Sequence, residues 1–455
     1  MLGSRRGHWV VSHMGAVLDV MLGGFRPGRS PWAALHVDHL GKVRCPMIGF
    51  WTKAKGGEVL RVLVVGAGIG GLTAAVALLR LGIDVRVYEQ ANALGEVGAG
   101  VALGPNAVKV LQRLGVAQNF GAAAVVPASL DTRDWQNGAV LGRVLLGDAA
   151  ISRWGAPFYH LHRADVHNAL RVASGDGCIV LGARATTIET SDSHVVVRFA
   201  DGRSATGDVL IGADGIHSVV RDHVAGADRA IWSRQVSWRG LASASVGKAI
   251  GLETRHHSFW GPRKQFVCFY VSGGRLVNWV GNTQSDQEWV EESWSARGDR
   301  DEVAGLFKDW HPQVRALIAG TEQVYKWALF DRLPLQNWTR GRVTVLGDAA
   351  HPMLPYMAQG ASQSIEDAYI LANSLAKTPD DPLGAINSYA QRRQERTAAV
   401  QNASREAGKA MQLTDPAEVA IRNANLRESP EAPAARFDWI WGYDATNAID
   451  PPSNI

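Results

Sequence analysis

Residues 59–90 read VLRVLVVGAGIGGLTAAVALLRLGIDVRVYEQ, and the order of residue types in that stretch sets the architecture. Val59–Val65 is a nearly continuous apolar run rich in Val, as a strand buried on both faces requires. Gly66, Gly68 and Gly71 follow in GxGxxG spacing. Leu72–Leu81 carries Ala, Leu and Val at helical intervals, and Val85–Tyr88 reads as a second strand ending at Glu89. Gly66 permits the tight turn, Gly68 lets a pyrophosphate approach the backbone, and Gly71 lets helix and strand pack closely. The helix N-terminus attracts the phosphate charge. Glu89 stands where a carboxylate can accept from both ribose hydroxyls, which favours FAD or NAD over NADP. Strand, glycines, helix and acid together predict a dinucleotide site but do not separate FAD from NAD.

Composition narrows the class. The chain of 455 residues is 46% hydrophobic and 20% charged, too apolar for a disordered chain. Cys45, Cys178 and Cys268 are odd in number and far apart, which argues against a disulfide scaffold and against a metal site, and fits a reducing, cytoplasmic location. The formal charge of +4 would raise nucleic acid as a partner. Eight of the 47 Lys/Arg and only three of the 43 acids lie in residues 1–58, so the rest of the chain is close to neutral and no nucleic-acid partner is expected. Those 58 residues read as a poorly ordered extension. Arg5-Arg6 before an apolar stretch faintly resembles an export signal, and Met47 is an alternative start. The stretch is about 17 residues against the roughly 20 that a membrane span needs, and Asp19 within it costs about 3 kcal/mol. No membrane span is expected.

Two further motifs follow, either of which alone could be an ordinary strand–turn–helix with a capping Asp. DVLIGADGIHSVVR, Asp208–Arg221, reads as a strand at Val209–Ile211, a turn at Gly212–Gly215 and a short helix at Ile216–Arg221. GRVTVLGDAAHPMLPYMAQGASQSIEDAYILANSLA, Gly341–Ala376, reads as a buried strand at Val343–Leu346 and a helix over Gln359–Ala376. With the first motif and in this order, they resemble the FAD-dependent aromatic hydroxylases, flavoprotein monooxygenases similar to salicylate hydroxylase and 6-hydroxynicotinate monooxygenase. The resemblance covers about residues 59–445. It includes GAGVALGPNAVKVLQRLG (Gly98–Gly115), LHRADVHNAL (Leu161–Leu170), Trp238–Gly240, LVNWVG (Leu276–Gly281) and FDWIWGYDA (Phe437–Ala445).

The resemblance implies an α/β (α+β) fold, a Rossmann-like FAD-binding domain interleaved with a β-sheet substrate domain and a C-terminal helical segment. The expected divisions are 59–230 and 331–380 for the FAD domain, 231–330 for the substrate sheet, and 381–455 for C-terminal helices and tail. Gly66, Gly68, Gly71 and Glu89 would hold the ADP half of FAD. Arg163 would contact FAD, Asp214 and Gly215 would serve FAD and NAD(P)H, and Asp348 would bind the ribityl chain. Gly360 and Ala361 would present N–H groups to the flavin ring, where a helix N-terminus suits the negative charge of reduced flavin. The implied reaction uses NADH or NADPH to reduce the flavin. O2 then adds at C4a, and the hydroperoxide transfers oxygen to a small aromatic substrate, here a hydroxylated aromatic carboxylate. A same-fold reductase or oxidase, or a non-catalytic flavin-binding protein, stays open.

Tyr356 is the leading substrate-facing candidate, at a position where those relatives carry His, with a packing role as its competitor. Arg239 could pair a substrate carboxylate or tie the sheet to the flavin domain. His256 and His257 could reach the pocket or lie at a solvated strand end, and His257 is taken as the catalytic candidate. Gln265 stands where relatives carry His, and His351 reads as structural. Most Trp and Phe of the middle segment read as core. From Leu383 the chain reads as a long helix through Met411 and a shorter one at Pro416–Leu426, followed by a loop over Pro430–Ala434 and a mobile tail after Ala445. Arg392, Arg393 and Arg396 read as a solvated or subunit-facing surface, and a homodimer is possible.

Overall fold

The computed structural model describes residues 36–37, 43–44, 59–95, 99–287, 296–427 and 432–448. Met1–Gly49 and Phe50–Ile455 are separate compact units. In the first, His36–Val37 pairs antiparallel with Val43–Arg44. The readings of residues 1–58 otherwise lie outside the described residues, as does the tail after Ala448.

The larger unit is a mixed α/β fold built on two sheets. The first runs Thr339–Arg340, Val343–Val345, Val209–Gly212, Arg61–Val65, Asp84–Tyr88, Ile179–Val180 across its width. Its central four strands are parallel, which explains their unbroken Val/Leu/Ile runs. Val62, Val64, Val209, Ile211 and Val343 are wholly buried beneath flanking helices. The first helix spans Ile69–Arg80, three residues earlier than its apolar pattern indicates, because Gly68 in extended backbone caps it and Gly70 and Gly71 form its first turn. The helix expected over Ile216–Arg221 lies at Val219–Ala225, since the Ser218 hydroxyl accepts from the Arg221 N–H and caps it there.

The second sheet has eight strands: Arg297–Gly298, Thr321–Asp331, Ile231–Ser243, Leu276–Gln284, Lys264–Val271, His256–Gly261, Ser129–Asp134 and Val140–Leu145. The last two come from the segment expected to serve the first sheet, and Ser129–Asp134 joins parallel to His256–Gly261. One face of this sheet packs Phe259, Phe266, Trp279 and Trp238 against Phe307 and Trp310, with Val314 and Leu317 from the helix Pro312–Ala319. Alternate residues point the other way, toward the first sheet's glycine turn. Helices Gly360–Lys377, Pro382–Met411 and Pro416–Arg427 complete the fold. Ala432–Ala435 is a helical turn where a loop was expected.

Candidate active site

One cavity of about 1090 Å³ runs from the glycine turn to the inner face of the large sheet. Its first end is built by the strand ends of the parallel sheet. Gly66 has φ +103°, and a Cβ there would lie 2.3 Å from the Ala213 carbonyl oxygen, so only glycine fits. A Cβ on Gly71 would lie 2.0 Å from the Gly66 carbonyl oxygen. A Cβ on Gly68 or Gly215 would have nothing within 4 Å, and both border the cavity, so the backbone there is open to a ligand. Glu89 accepts from the N–H of Ala67 at 2.8 Å and of Ala91 at 2.9 Å, which fixes its carboxylate at the turn.

Arg163, Asp214, Asp348, Gly360 and Ala361 line the same cavity. Asp214 accepts from Ser218 and from Val220 N–H, yet burial raises its pKa above the usual carboxylate value. Asp348 opens into the cavity while protein surrounds it on the scale of charge solvation, and this burial raises its pKa despite the nearby His351 and Arg163 charges. The helix Gly360–Lys377 starts at the cavity wall. An open glycine cradle, a helix N-terminus and a cavity of this volume fit a flavin dinucleotide with room for a small second molecule.

The profile of the FAD binding domain family matches residues 59–404. The chain is 39% identical over 389 residues to a 3-amino-4-hydroxybenzoate 2-monooxygenase of Streptomyces platensis, covering 85% of this chain and 96% of that one. The chain belongs to the FAD-dependent aromatic-ring monooxygenases. It is also 35% identical over 386 residues to 6-hydroxynicotinate 3-monooxygenase of Bordetella bronchiseptica, covering 84% and 95% of the two chains. A salicylate hydroxylase substrate complex superposes with a TM-score of 0.74 at 28% identity, covering 86% and 97%. FAD is therefore the cofactor of this monooxygenase and NAD(P)H its co-substrate. Among the described residues, no helix is long and apolar enough to cross a membrane.

In this monooxygenase the sheet face across the cavity from the glycine turn carries His256, Ser258, Trp260, Gln265, Phe269, Asn278 and Asn282. Tyr356 joins them from the turn Pro355–Met357, and its hydroxyl oxygen accepts from Gln412 Nε2 at 3.0 Å. Burial pushes its pKa well up, so it stays protonated. His256 and His257 are both buried, which corrects the solvated strand end. They are split by strand alternation. His256 lines the cavity, whereas His257 faces the opposite side, 3.4 Å from Arg133 Nη1 and 3.1 Å from the Glu253 carbonyl oxygen. The structure does not bring His257 to the cavity.

Arg239 is not brought to the cavity either. It is buried on the cavity-facing side of the sheet, but its guanidinium lies 4.0 Å over the Trp327 ring, in the apolar cluster that contains Tyr356.

The arginines expected at the surface are the largest correction. Arg393 is fully buried and Arg396 nearly so; only Arg392 is exposed. Arg393 donates to Glu366 Oε2 at 2.6 Å, Asp367 Oδ1 at 2.6 Å and Gln363 Oε1 at 2.7 Å. Arg396 pairs with the same Glu366 at 2.8 Å, donates to the Trp439 and Ile440 carbonyls, and lies 3.8 Å over the Tyr443 ring. Asp367 also accepts from His351 Nε2 at 2.5 Å and Gly347 N–H at 3.0 Å, next to Asp348. Burial alone would raise the Asp367 pKa, but the His351 and Arg393 charges outweigh it and hold it down to about 2. These arginines therefore clamp the cavity floor to the C-terminal FDWIWGYDA segment, whose Trp441 lines the cavity.

Proposed function

We propose that this monooxygenase hydroxylates a small aromatic carboxylate that already carries a ring hydroxyl group, using O2 and NAD(P)H in the cytoplasm, where that reductant is at hand. The observation that carries the proposal is the continuity of the cavity from the Gly66–Gly68 turn to a sheet face of aromatic and neutral polar side chains. Among the described residues, the strand residues of that face that line the cavity include no Asp, Glu, Lys or Arg, and the buried Arg239 of the same face lies over Trp327 outside the lining. A planar aromatic acid is then held between aromatic walls, with neutral donors for its oxygens. The relatives' names, 3-amino-4-hydroxybenzoate and 6-hydroxynicotinate monooxygenase, agree with that substrate class.

Gly66, Gly68, Gly71 and Glu89 would hold the ADP half of FAD, Arg163 would contact FAD, Asp214 and Gly215 would serve FAD and NAD(P)H, and Asp348, Gly360 and Ala361 would hold the ribityl chain and ring. Bound FAD supplies the two-electron chemistry that couples NAD(P)H oxidation to O2 activation. The protein's own tasks are to exclude water and to orient the ring. The buried Tyr356 hydroxyl, already accepting from Gln412, is a donor rather than a base and would hold a substrate oxygen. Asn278 is oriented by the Gly100 N–H, which donates to its Oδ1 at 2.7 Å. Its Nδ2 is thereby left as a buried donor with no partner among the described residues.

The test follows NADH and NADPH oxidation with 3-amino-4-hydroxybenzoate, 6-hydroxynicotinate, 3-hydroxybenzoate and salicylate, with product masses. Stimulated oxidation and a product heavier by one oxygen are expected with at least one acid. Oxidation that no acid stimulates, or that yields only hydrogen peroxide with all of them, would overturn the proposal.

A further inference from the structure

We infer that His256, held by His160, is a fixed neutral hydrogen-bond donor that grips the anionic oxygen of the aromatic substrate; this rests on the substrate class proposed above. The two histidines come from different parts of the chain. His256 starts the sheet strand His256–Gly261, and His160 lies in the strand Tyr159–His162. His160 Nε2 and His256 Nδ1 are 3.0 Å apart. The Phe269 ring stacks on both, at 4.1 Å and 20° from His160 and at 5.3 Å and 18° from His256. The imidazole plane of His256 is therefore set from two sides before any ligand arrives.

The tautomer follows from what surrounds the pair. Burial lowers both pKa values, that of His256 to about 3 with help from the His257 charge, so both rings are neutral and each carries one proton. One ring must donate across the 3.0 Å contact. His160 Nδ1 is buried with no partner among the described residues. A proton there would strand a donor in the interior, whereas a proton on His160 Nε2 makes the bond to His256 Nδ1. The proton of His256 then sits on Nε2. That atom has no protein partner among the described residues, on a side chain that lines the cavity. His160 is thus a positioning residue, and His256 the group that touches substrate. A side chain with so low a pKa does not remove a phenolic proton. It stabilises the oxygen that has lost one by donating to it from the cavity wall.

The experiment uses the FAD-loaded full chain and 3-amino-4-hydroxybenzoate, with its 4-methoxy counterpart as a probe lacking the ionisable oxygen. Dissociation constants come from the change in flavin absorbance, and coupling from hydrogen peroxide formed per NAD(P)H. His256→Phe is expected to weaken the hydroxy acid about 10–100-fold, the range for a hydrogen bond to a charged group, and the methoxy acid by less than about 3-fold. His256→Gln keeps an N–H near the same place and should recover most of the loss. His160→Phe should raise KM and lower coupling with little change in kcat, and imidazole nitrogen NMR should show the Nε2-protonated form of His256 lost. A wild-type protein that binds neither probe nor any other acid of the panel would remove the substrate reading and the inference with it. Wild-type binding matched by a folded His256→Phe, or His256→Gln as weak as His256→Phe, would overturn the inference alone. If His256→Phe does not fold, a His160→Phe protein with unchanged coupling and tautomer overturns it.

Discussion

Replacing Arg393 with Met tests whether the buried arginine clamp holds the cavity floor. Arg393 has no solvent exposure and serves two fully buried carboxylates. Removing one partner of a buried ion network costs about 3–5 kcal/mol, because it leaves charge uncompensated. Here Glu366 keeps Arg396 and Asn106, and Asp367 keeps His351 and the Gly347 N–H, so the low end, about 3 kcal/mol, is expected. An unfolding entropy of about 2 cal/mol/K per residue over the roughly 400 residues of the larger unit converts this to a fall of about 4 °C in thermal midpoint. The acid limb should move as well. Asp367 is held down to about 2, below its unfolded value of about 4, so its contribution is present above pH 4 and lost as pH falls from 4 toward 2. Without Arg393 its folded pKa rises toward the unfolded value, so the loss between pH 4 and 2 becomes shallower, and the acid midpoint moves up because the protein starts from lower stability at neutral pH. Scanning fluorimetry at pH 7 and an acid titration by circular dichroism read both effects. Adding Asp367→Asn should restore part of the loss, since the pair is then removed together. An Arg393→Met protein that melts within 1 °C of wild type, with the same acid midpoint, would refute the reasoning.

Three further outcomes are expected. Gly68→Ala should leave the fold's melting temperature unchanged and weaken FAD binding at least tenfold, because its Cβ enters open cavity. Gly71→Ala should lower both, because its Cβ meets the Gly66 carbonyl; melting curves and flavin fluorescence titrations separate the two. Tyr356→Phe removes the hydroxyl bonded to Gln412 and should raise KM for the aromatic acid and increase peroxide formation, read by coupled oxidase assays. Deleting residues 1–46 should leave FAD content and turnover intact, since the cavity residues described begin at Val65 and the family match at 59.

That the glycine turn, Glu89, Asp214 and Asp348 would meet at one cavity was legible because each of their motifs is local. Gly66, Gly68, Gly71 and Glu89 lie within one strand, turn and helix, and Asp214 and Asp348 each end a buried strand. What escaped depends on partners far along the chain. Arg393 and Arg396 look like a solvated face until Glu366 and Asp367 arrive from another helix. Their spacing with Tyr389, Thr397 and Val400, all buried, was the one available signal that this face points inward. The choice between His256 and His257 is a question of strand parity. Alternation sets parity only when one face is solvated, and here one face meets helices and the other a cavity lined with Trp260 and Phe269. The recruitment of Ser129–Asp134 into the large sheet was invisible for a related reason: parallel pairing over that distance leaves no turn signature.

The strand order of the first sheet has a consequence for biosynthesis. Val343–Val345 pairs with Val209–Gly212, which pairs with Arg61–Val65, so the three segments whose ends border the cavity are made far apart in time. At about 5–20 residues per second, on the order of tens of seconds separate Gly66 from Gly360 at the ribosome. Throughout that interval the nascent chain exposes Val-rich strand edges with no neighbour, which is when chaperones would engage it. At the proposed FAD site, capture awaits a chain made past Gly360. A product that ends before Val343 carries the glycine turn without Asp348 and Gly360, and its flavin content is expected to be low.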